Sequence, residues 1–222
     1  MLTFRQFDST DGLGSSGSFG AVSGQYFDER PTVASDVRRI PLALPDLAVE
    51  LDVDRGVFST DHIDAGTRLL LLEGVRPEVG QRVLDLGCGY GPIAVTAALR
   101  QPEAEVWAID VNERARGLTA ANADRLDLTI NVAAPDDVAD DLRFDLIVSN
   151  PPIRIGKKAL HELLTRWLLR LAPGGRAELV VQKHLGSDSL QRWLTDQGWP
   201  TERLLSRGGF RILVATAAKD SP

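Results

Sequence analysis

Asn150-Pro151-Pro152-Ile153 closes an apolar run, Phe144-Asp145-Leu146-Ile147-Val148-Ser149, and lies about 60 residues beyond a glycine turn, Asp85-Leu86-Gly87-Cys88-Gly89-Tyr90-Gly91, that closes another. Two successive prolines offer no N–H to a ladder and force the preceding Asn into extended backbone. The strand therefore ends at Asn150, with its carboxamide directed into the crevice beyond the strand ends, where open parallel sheets hold ligands. An exocyclic amine conjugated to a ring is a poor nucleophile because its lone pair is delocalised. A catalyst must accept hydrogen bonds from both of its N–H groups and turn the lone pair toward the electrophile. Asn150 Oδ1 and the Pro151 carbonyl are acceptors of that kind, so Asn150, Pro151 and Pro152 are the candidate catalytic residues. No strong base is needed, since the nitrogen loses its proton after becoming cationic and the gain lies in alignment and preorganised dipoles. Paired with the glycine turn, the motif suits methyl transfer to a planar amino nitrogen; alone, it would read as a strand terminator with an incidental Asn.

Gly87, Gly89 and Gly91 let the backbone pass close to a ligand and let the next helix pack on the strand with its amino-terminal N–H groups facing the site. Such a turn also serves a dinucleotide, or simply a tight strand-to-helix connection. Asp110 ends Val106-Trp107-Ala108-Ile109 about 20 residues further on, where an acid can bind both ribose hydroxyls of either NAD or S-adenosylmethionine. It also reads as the cap of a helix beginning near Asn112-Glu113. Asp136, after a strand at 129–133, is placed to receive an adenine amino group or to stand as a solvated loop acid.

The elements around these residues alternate. Strands are expected at 82–86, 105–110, 129–133, 144–149 and 176–182, and helices at 91–101, 113–126, 156–172 and 186–197. Near-continuous apolar strands such as Ala177-Glu178-Leu179-Val180-Val181 imply helices on both faces of a mostly parallel sheet. Strands at 202–206 and 210–217 joined through Gly208-Gly209 predict a closing antiparallel hairpin. The expected fold is α/β, a Rossmann-like, doubly wound, seven-stranded sheet. A small β extension over 25–62 precedes the core at 63–222, with strand character at Tyr26-Phe27, Leu47 to Leu51 and Gly56-Val57-Phe58-Ser59. Asp64 to Glu73 reads as a helix capped by Asp. Residues 1–24, with Gly12-Leu13-Gly14-Ser15-Ser16-Gly17-Ser18, hold too little apolar content to offset ordering and read as a flexible tail.

At 222 residues, 43% apolar and 25% charged, the chain suits one soluble catalytic domain. No apolar run approaches the ~20 residues of a membrane span. A single cysteine forms no internal disulfide, and the amino end lacks a secretory pattern, so a cytoplasmic location is expected. The net charge of −6 argues against a nucleic-acid partner, but its distribution does not: residues 1–150 carry 13 basic against 25 acidic side chains, and 151–222 carry 12 against 6.

Taken together, Gly56-Val57-Phe58-Ser59, Asp64-Ala65-Gly66-Thr67, Leu69-Leu70, Leu84 to Gly91, and Asn150-Pro151-Pro152-Ile153-Arg154 with His161 resemble a known family. They look like class I S-adenosylmethionine-dependent methyltransferases with an NPP motif, in particular the RsmC-type small-subunit ribosomal RNA guanine-N2 enzymes and their single-domain archaeal relatives. The resemblance spans roughly 25–217. It implies S-adenosylmethionine as cofactor, with Asp85 and the three glycines at the methionine moiety, Asp110 at the ribose, Thr67 at the methionine carboxylate and Phe58 covering the site, a position that equally suits a core aromatic. It implies Asn150 and Pro151 at the target amine, and ribosomal RNA or a small-subunit assembly particle as partner. Bacterial enzymes of this type resemble two tandem copies of the domain, one degenerate, where this chain has one copy. Position 153 is Ile, whereas adenine and glutamine methyltransferases of the NPP class usually carry Tyr or Phe there.

Ile153, Arg154, Lys157 and Lys158 follow the motif and are the candidate substrate-binding residues, able to grip the backbone flanking a swung-out base. They equally suit the exposed first turn of a helix. Lys183, His184, Arg207 and Arg211 follow later strand ends and could extend the basic set, although ordinary surface charge is the commoner reading of such residues. Cys88 reads as a small filler, the histidines are too dispersed for a metal site, and the four tryptophans read as core. An NPP enzyme acting on adenine N6 or a protein glutamine amide, and a cofactor-binding module without catalysis, stand as alternatives. The oligomeric state is open.

Overall fold

A computed structural model describes residues 33–57 and 61–217. The expectations for residues 1–24, Tyr26-Phe27 and Phe58-Ser59 lie outside the described residues. A two-stranded antiparallel hairpin comes first, β1 (Arg38–Ala43) and β2 (Ala48–Val53), followed by α1 (Ala65–Glu73). The core then runs β3 (Arg82–Leu86), α2 (Pro92–Arg100), β4 (Glu105–Ile109), α3 (Glu113–Arg125), β5 (Ile130–Ala133) and β6 (Phe144–Ser149). It ends with α4 (Lys157–Leu168), β7 (Leu171–Gln182), α5 (Ser187–Asp196), β8 (Thr201–Arg207) and β9 (Phe210–Thr216).

The sheet has seven strands in the order β5-β4-β3-β6-β7-β9-β8. β3 through β7 are parallel, and β9 runs antiparallel to both neighbours, as a hairpin without a crossover helix requires. The central strands are buried on both sides: Val83, Leu84, Leu146, Ile147, Val148, Ala177 and Leu179 have no exposure. The strand order reverses between β3 and β6, so the crevice at their carboxyl ends is a topological switch point and the default ligand site. The glycine turn and Asn150 stand there on neighbouring strands. Among the described residues, no helix is long and apolar enough to cross a membrane.

Three expectations need correction. β1 is absent from the expected elements, and its segment, Arg38-Arg39-Ile40-Pro41-Leu42-Ala43, contains a residue with no N–H for a ladder. Proline is nonetheless tolerated in a strand edge, and Ile40 and Leu42 turn inward onto the core that α1 and α2 share. The strand expected to resume at Gly56 is a turn, with Gly56 at φ 83°. The helix expected over 156–172 ends at Leu168, and β7 starts at Leu171, which pairs with Phe144 ahead of a register shift. Pro173-Gly174-Gly175 lies within that irregular strand, ahead of the start expected at 176.

Candidate functional site

Ser149 and Leu86 end two adjacent strands, and the buried Ser149 Oγ donates to the Leu86 carbonyl at 2.7 Å, tying the start of the NPP motif to the start of the glycine turn. Pro152 then takes φ −75° and ψ 74°, the central residue of an inverse γ-turn, with Ile153 N donating to the Pro151 carbonyl at 2.8 Å. That bond fixes the Pro151 oxygen and leaves it one lone pair. Asn150 is half-buried, and its Nδ2 donates to Asp64 Oδ2 at 2.8 Å and to Thr67 Oγ1 at 3.0 Å. A carboxylate only accepts, so the amide nitrogen must face Asp64 and Oδ1 is the atom left to accept from a ligand.

The glycine turn crosses from β3 to α2 with Gly87, Gly89 and Gly91 all at positive φ, 77°, 59° and 88°. Gly91 is also pressed from the side: a Cβ there would sit 2.9 Å from Thr119 Cγ2 and 3.0 Å from its Oγ1. Thr119 is fully buried and donates to the Gly89 carbonyl at 3.0 Å, so α3 braces the turn. Asn122 adds to this, donating to the Tyr90 and Asp52 carbonyls at 2.9 Å each and linking the turn to the amino-terminal hairpin. Asp110 lies across the turn, its carboxylate accepting from Gly89 N at 3.0 Å and Asn112 N at 2.9 Å. Each oxygen keeps acceptor capacity, which suits a vicinal diol. Burial raises the Asp110 carboxyl above its ordinary value, opposed by these backbone donors and by Arg116.

These groups line one cavity of about 640 Å³ that runs from Gly87, Gly89 and Asp110 past Asn150 and Pro151 to Ile153, Arg154, Gln182, Leu185 and Phe210. Val57 and Val111 add apolar wall, and Asn112 Nδ2 holds the Gly56 carbonyl at 3.0 Å so that the turn before Phe58 stays against the opening. Phe58 itself lies outside the described residues. The cavity is large enough for a nucleoside-sized cofactor and a planar acceptor together. Asp64 and Asp110 on its lining suit a cationic ligand bearing a ribose.

Some expected residues are elsewhere. Asp85 is 1% exposed and does not line the cavity; its Oδ2 accepts from Ala94 N at 2.9 Å, fastening the first turn of α2 beneath the glycines. Its Oδ1 has no partner, and burial, with the Asp110 charge nearby, pushes the carboxyl up to about 8. Gly91 likewise shapes the wall without lining it. Asp136 is not brought in: its side chain is 88% exposed and paired with Arg166 at 2.8 Å. A short loop of two acids gave no sequence cue to which way it faces. Thr67 does line the cavity, with its hydroxyl on Asn150.

Ile153 and Arg154 line the cavity, whereas Lys157 and Lys158 stand exposed on the first turn of α4, Lys158 facing Glu162 at 3.8 Å. Gly156 caps that helix without a side-chain bond. Lys183 and His184 project at the end of β7, beside the mouth, but Arg207 is paired with Glu73 at 2.9 Å and Arg211 with Asp188. The basic excess of the carboxyl-terminal part is thus largely spent on ion pairs. His161 stacks on Trp193 with ring centroids 3.7 Å apart. Sequence reasoning missed Asp64, Ser149 and Gln182 as site residues. Asp64 was visible only as a helix cap.

The chain is 36% identical over 198 residues to the uncharacterized protein YbxB of Bacillus subtilis, covering 87% of this chain and 98% of that protein. It is 32% identical to ribosomal RNA small subunit methyltransferase C of Shewanella amazonensis over 70% of this chain and 47% of that protein. The chain therefore spans about half the length of the methyltransferase C relatives it matches. The fold is shared with a T. thermophilus 16S rRNA N2 guanine methyltransferase, RsmC, solved with AdoMet and guanosine, at TM-score 0.71 and 24% identity over 84% of this chain and 52% of that one. Residues 48–214 match the Methyltransferase small domain, and the chain belongs to that family of S-adenosylmethionine-dependent methyltransferases.

Proposed function

We propose that the chain methylates an exocyclic amino group, guanine N2 of small-subunit ribosomal RNA, on the free RNA or on an assembly particle. The observation that carries this is the fixed orientation of Asn150: its Nδ2 donates to Asp64 and Thr67, which leaves Oδ1, with the remaining Pro151 lone pair, to accept from a ligand in the cavity that both residues line. An NH2 group donating to both has its lone pair turned out of the ring plane and toward the methyl donor. Bound in the cavity, S-adenosylmethionine supplies an electrophilic methyl on a sulfonium; Asp110 would hold its ribose and the glycine turn its methionine end.

Beyond Asn150 the wall is mostly apolar, with Ile153, Leu163, Val180 and Phe210. Gln182 lines the same part, and no hydrogen bond of its side chain occurs among the described residues. Its amide offers a donor and an acceptor to a base edge. Arg154, Lys157 and Lys183, without carboxylate partners among the described residues, would meet the phosphates flanking a base swung into the site.

Labelled methyl transfer from S-adenosylmethionine into ribosomal RNA, assembled small subunits, DNA and total protein tests the reading. Label should enter RNA or subunits, be released by nuclease and run as N2-methylguanosine after digestion. Protease-sensitive label, or N6-methyladenosine, would overturn the substrate. Asn150→Ala should lower the rate by about 10²–10³ while cofactor affinity stays within a few-fold.

A further inference from the structure

We propose that Asp64 and Thr67 are positioning residues that clamp the Asn150 amide in its accepting orientation. The inference rests on the reading of Asn150 as the acceptor for the target amine. Asp64 caps α1, its Oδ2 accepting from Thr67 N at 3.0 Å. A helix cap requires nothing more. Yet the same oxygen accepts from Asn150 Nδ2 at 2.8 Å across 86 residues of sequence, and Thr67, 6% exposed, adds its hydroxyl at 3.0 Å. The start of one helix thus satisfies both hydrogens of one amide.

The chemical need is specific. A carboxamide turns over about its last torsion at little intrinsic cost, and its two ends differ only in donating or accepting. A flipped Asn150 would set its own NH2 against the substrate NH2, donor facing donor. The carboxylate forbids that, because a flipped amide would put oxygen against oxygen. Gly66, between the two clamp residues, keeps the arrangement compact: a Cβ there would lie 2.9 Å from Phe210 Cε1 and 3.0 Å from Asp64 Oδ2. The β9 aromatic therefore backs the clamp while lining the cavity.

Three variants separate the roles: Thr67→Val leaves the cap intact, Asp64→Asn keeps an acceptor oxygen, and Asp64→Ala removes it. The readouts are solvent exchange of the Asn150 side-chain NH2 protons by NMR, identified by their loss in Asn150→Ala, cofactor affinity by calorimetry, and single-turnover methyl transfer. In the unmodified protein those protons should exchange at least about tenfold more slowly than exposed Asn and Gln amides. Thr67→Val and Asp64→Ala should abolish the protection and lower the transfer rate about 10- to 100-fold, with cofactor affinity within about threefold. Asp64→Asn should retain most of both. Unprotected Asn150 protons in the unmodified protein, or full rate in Asp64→Ala, overturns the clamp. So does a Thr67→Val loss of cofactor affinity in step with rate, which would put that hydroxyl on the methionine carboxylate instead. If the unmodified protein methylates none of the acceptors, the proposed function fails, and the exchange measurement still decides the clamp.

Discussion

Replacing Gly91 by Ala isolates how the glycine turn is held. Two costs are expected. Gly91 has φ 88°, and an L-residue forced into the left-handed region loses roughly 1–2 kcal/mol. The new Cβ would also stand 2.9 Å from Thr119 Cγ2, 3.0 Å from Oγ1 and 3.3 Å from Cβ. Thr119 cannot swing aside without losing its bond to the Gly89 carbonyl, and it is fully buried, so overpacking adds about 1–3 kcal/mol. A total of about 2–5 kcal/mol is a large share of ordinary domain stability. Chemical denaturation of Gly91→Ala, Thr119→Ala and the double variant measures the terms separately. In the Thr119→Ala background, which removes the two nearest atoms and keeps only the Cβ at 3.3 Å, the Gly91 change should cost mainly the backbone part, giving a coupling of about 1–3 kcal/mol. Costs that add to within about 0.5 kcal/mol would refute the steric argument, and a Gly91→Ala protein as stable as the original would refute both. Cofactor affinity should fall alongside, since the Gly89 carbonyl and N–H are parts of the same wall.

Asp85 predicts a pH dependence of stability. Its carboxyl is raised by burial from 3.8 to about 8 in the folded chain, so the folded state keeps a proton that the unfolded state releases. Its contribution is present below about pH 4 and is lost as pH rises toward 8, by at most about 1.4 kcal/mol per pH unit. Asp85→Asn should flatten that slope in denaturation curves taken across the window, and parallel slopes would count against it. Asp110→Ala removes the acceptor for Gly89 N and Asn112 N and should weaken cofactor binding about tenfold or more by calorimetry. Asp136→Ala should leave cofactor affinity unchanged, because that carboxylate is turned outward to Arg166; a tenfold loss would place it at the adenine after all.

Much of the scaffold was legible because each feature is local. Apolar runs of strand length alternate with helical periods, and a parallel sheet with covered faces follows from that alternation. Gly208-Gly209 between two short strands can hardly be anything but a hairpin. Local signals also misled. β1 contains Pro41 and is held by its pairing with β2, and the early part of β7 contains Pro173-Gly174-Gly175, so neither carries a clear local strand signal. The clamp on Asn150 was invisible, since nothing in the sequence joins position 64 to position 150 once Asp64 has been explained as a cap.

The sequence by itself determined the Asn-Pro-Pro segment, the glycine turn and the strands that end in them, since proline, glycine and apolar periodicity act on their immediate neighbours through sterics and burial. Only the tertiary structure decided which acids serve the cavity. Asp64 faces Asn150, Asp85 sits behind the wall and Asp136 points to solvent, although all three are short carboxylates at element ends. The difference lies in packing between distant elements, which sets burial and partner for each group and so sets its chemistry.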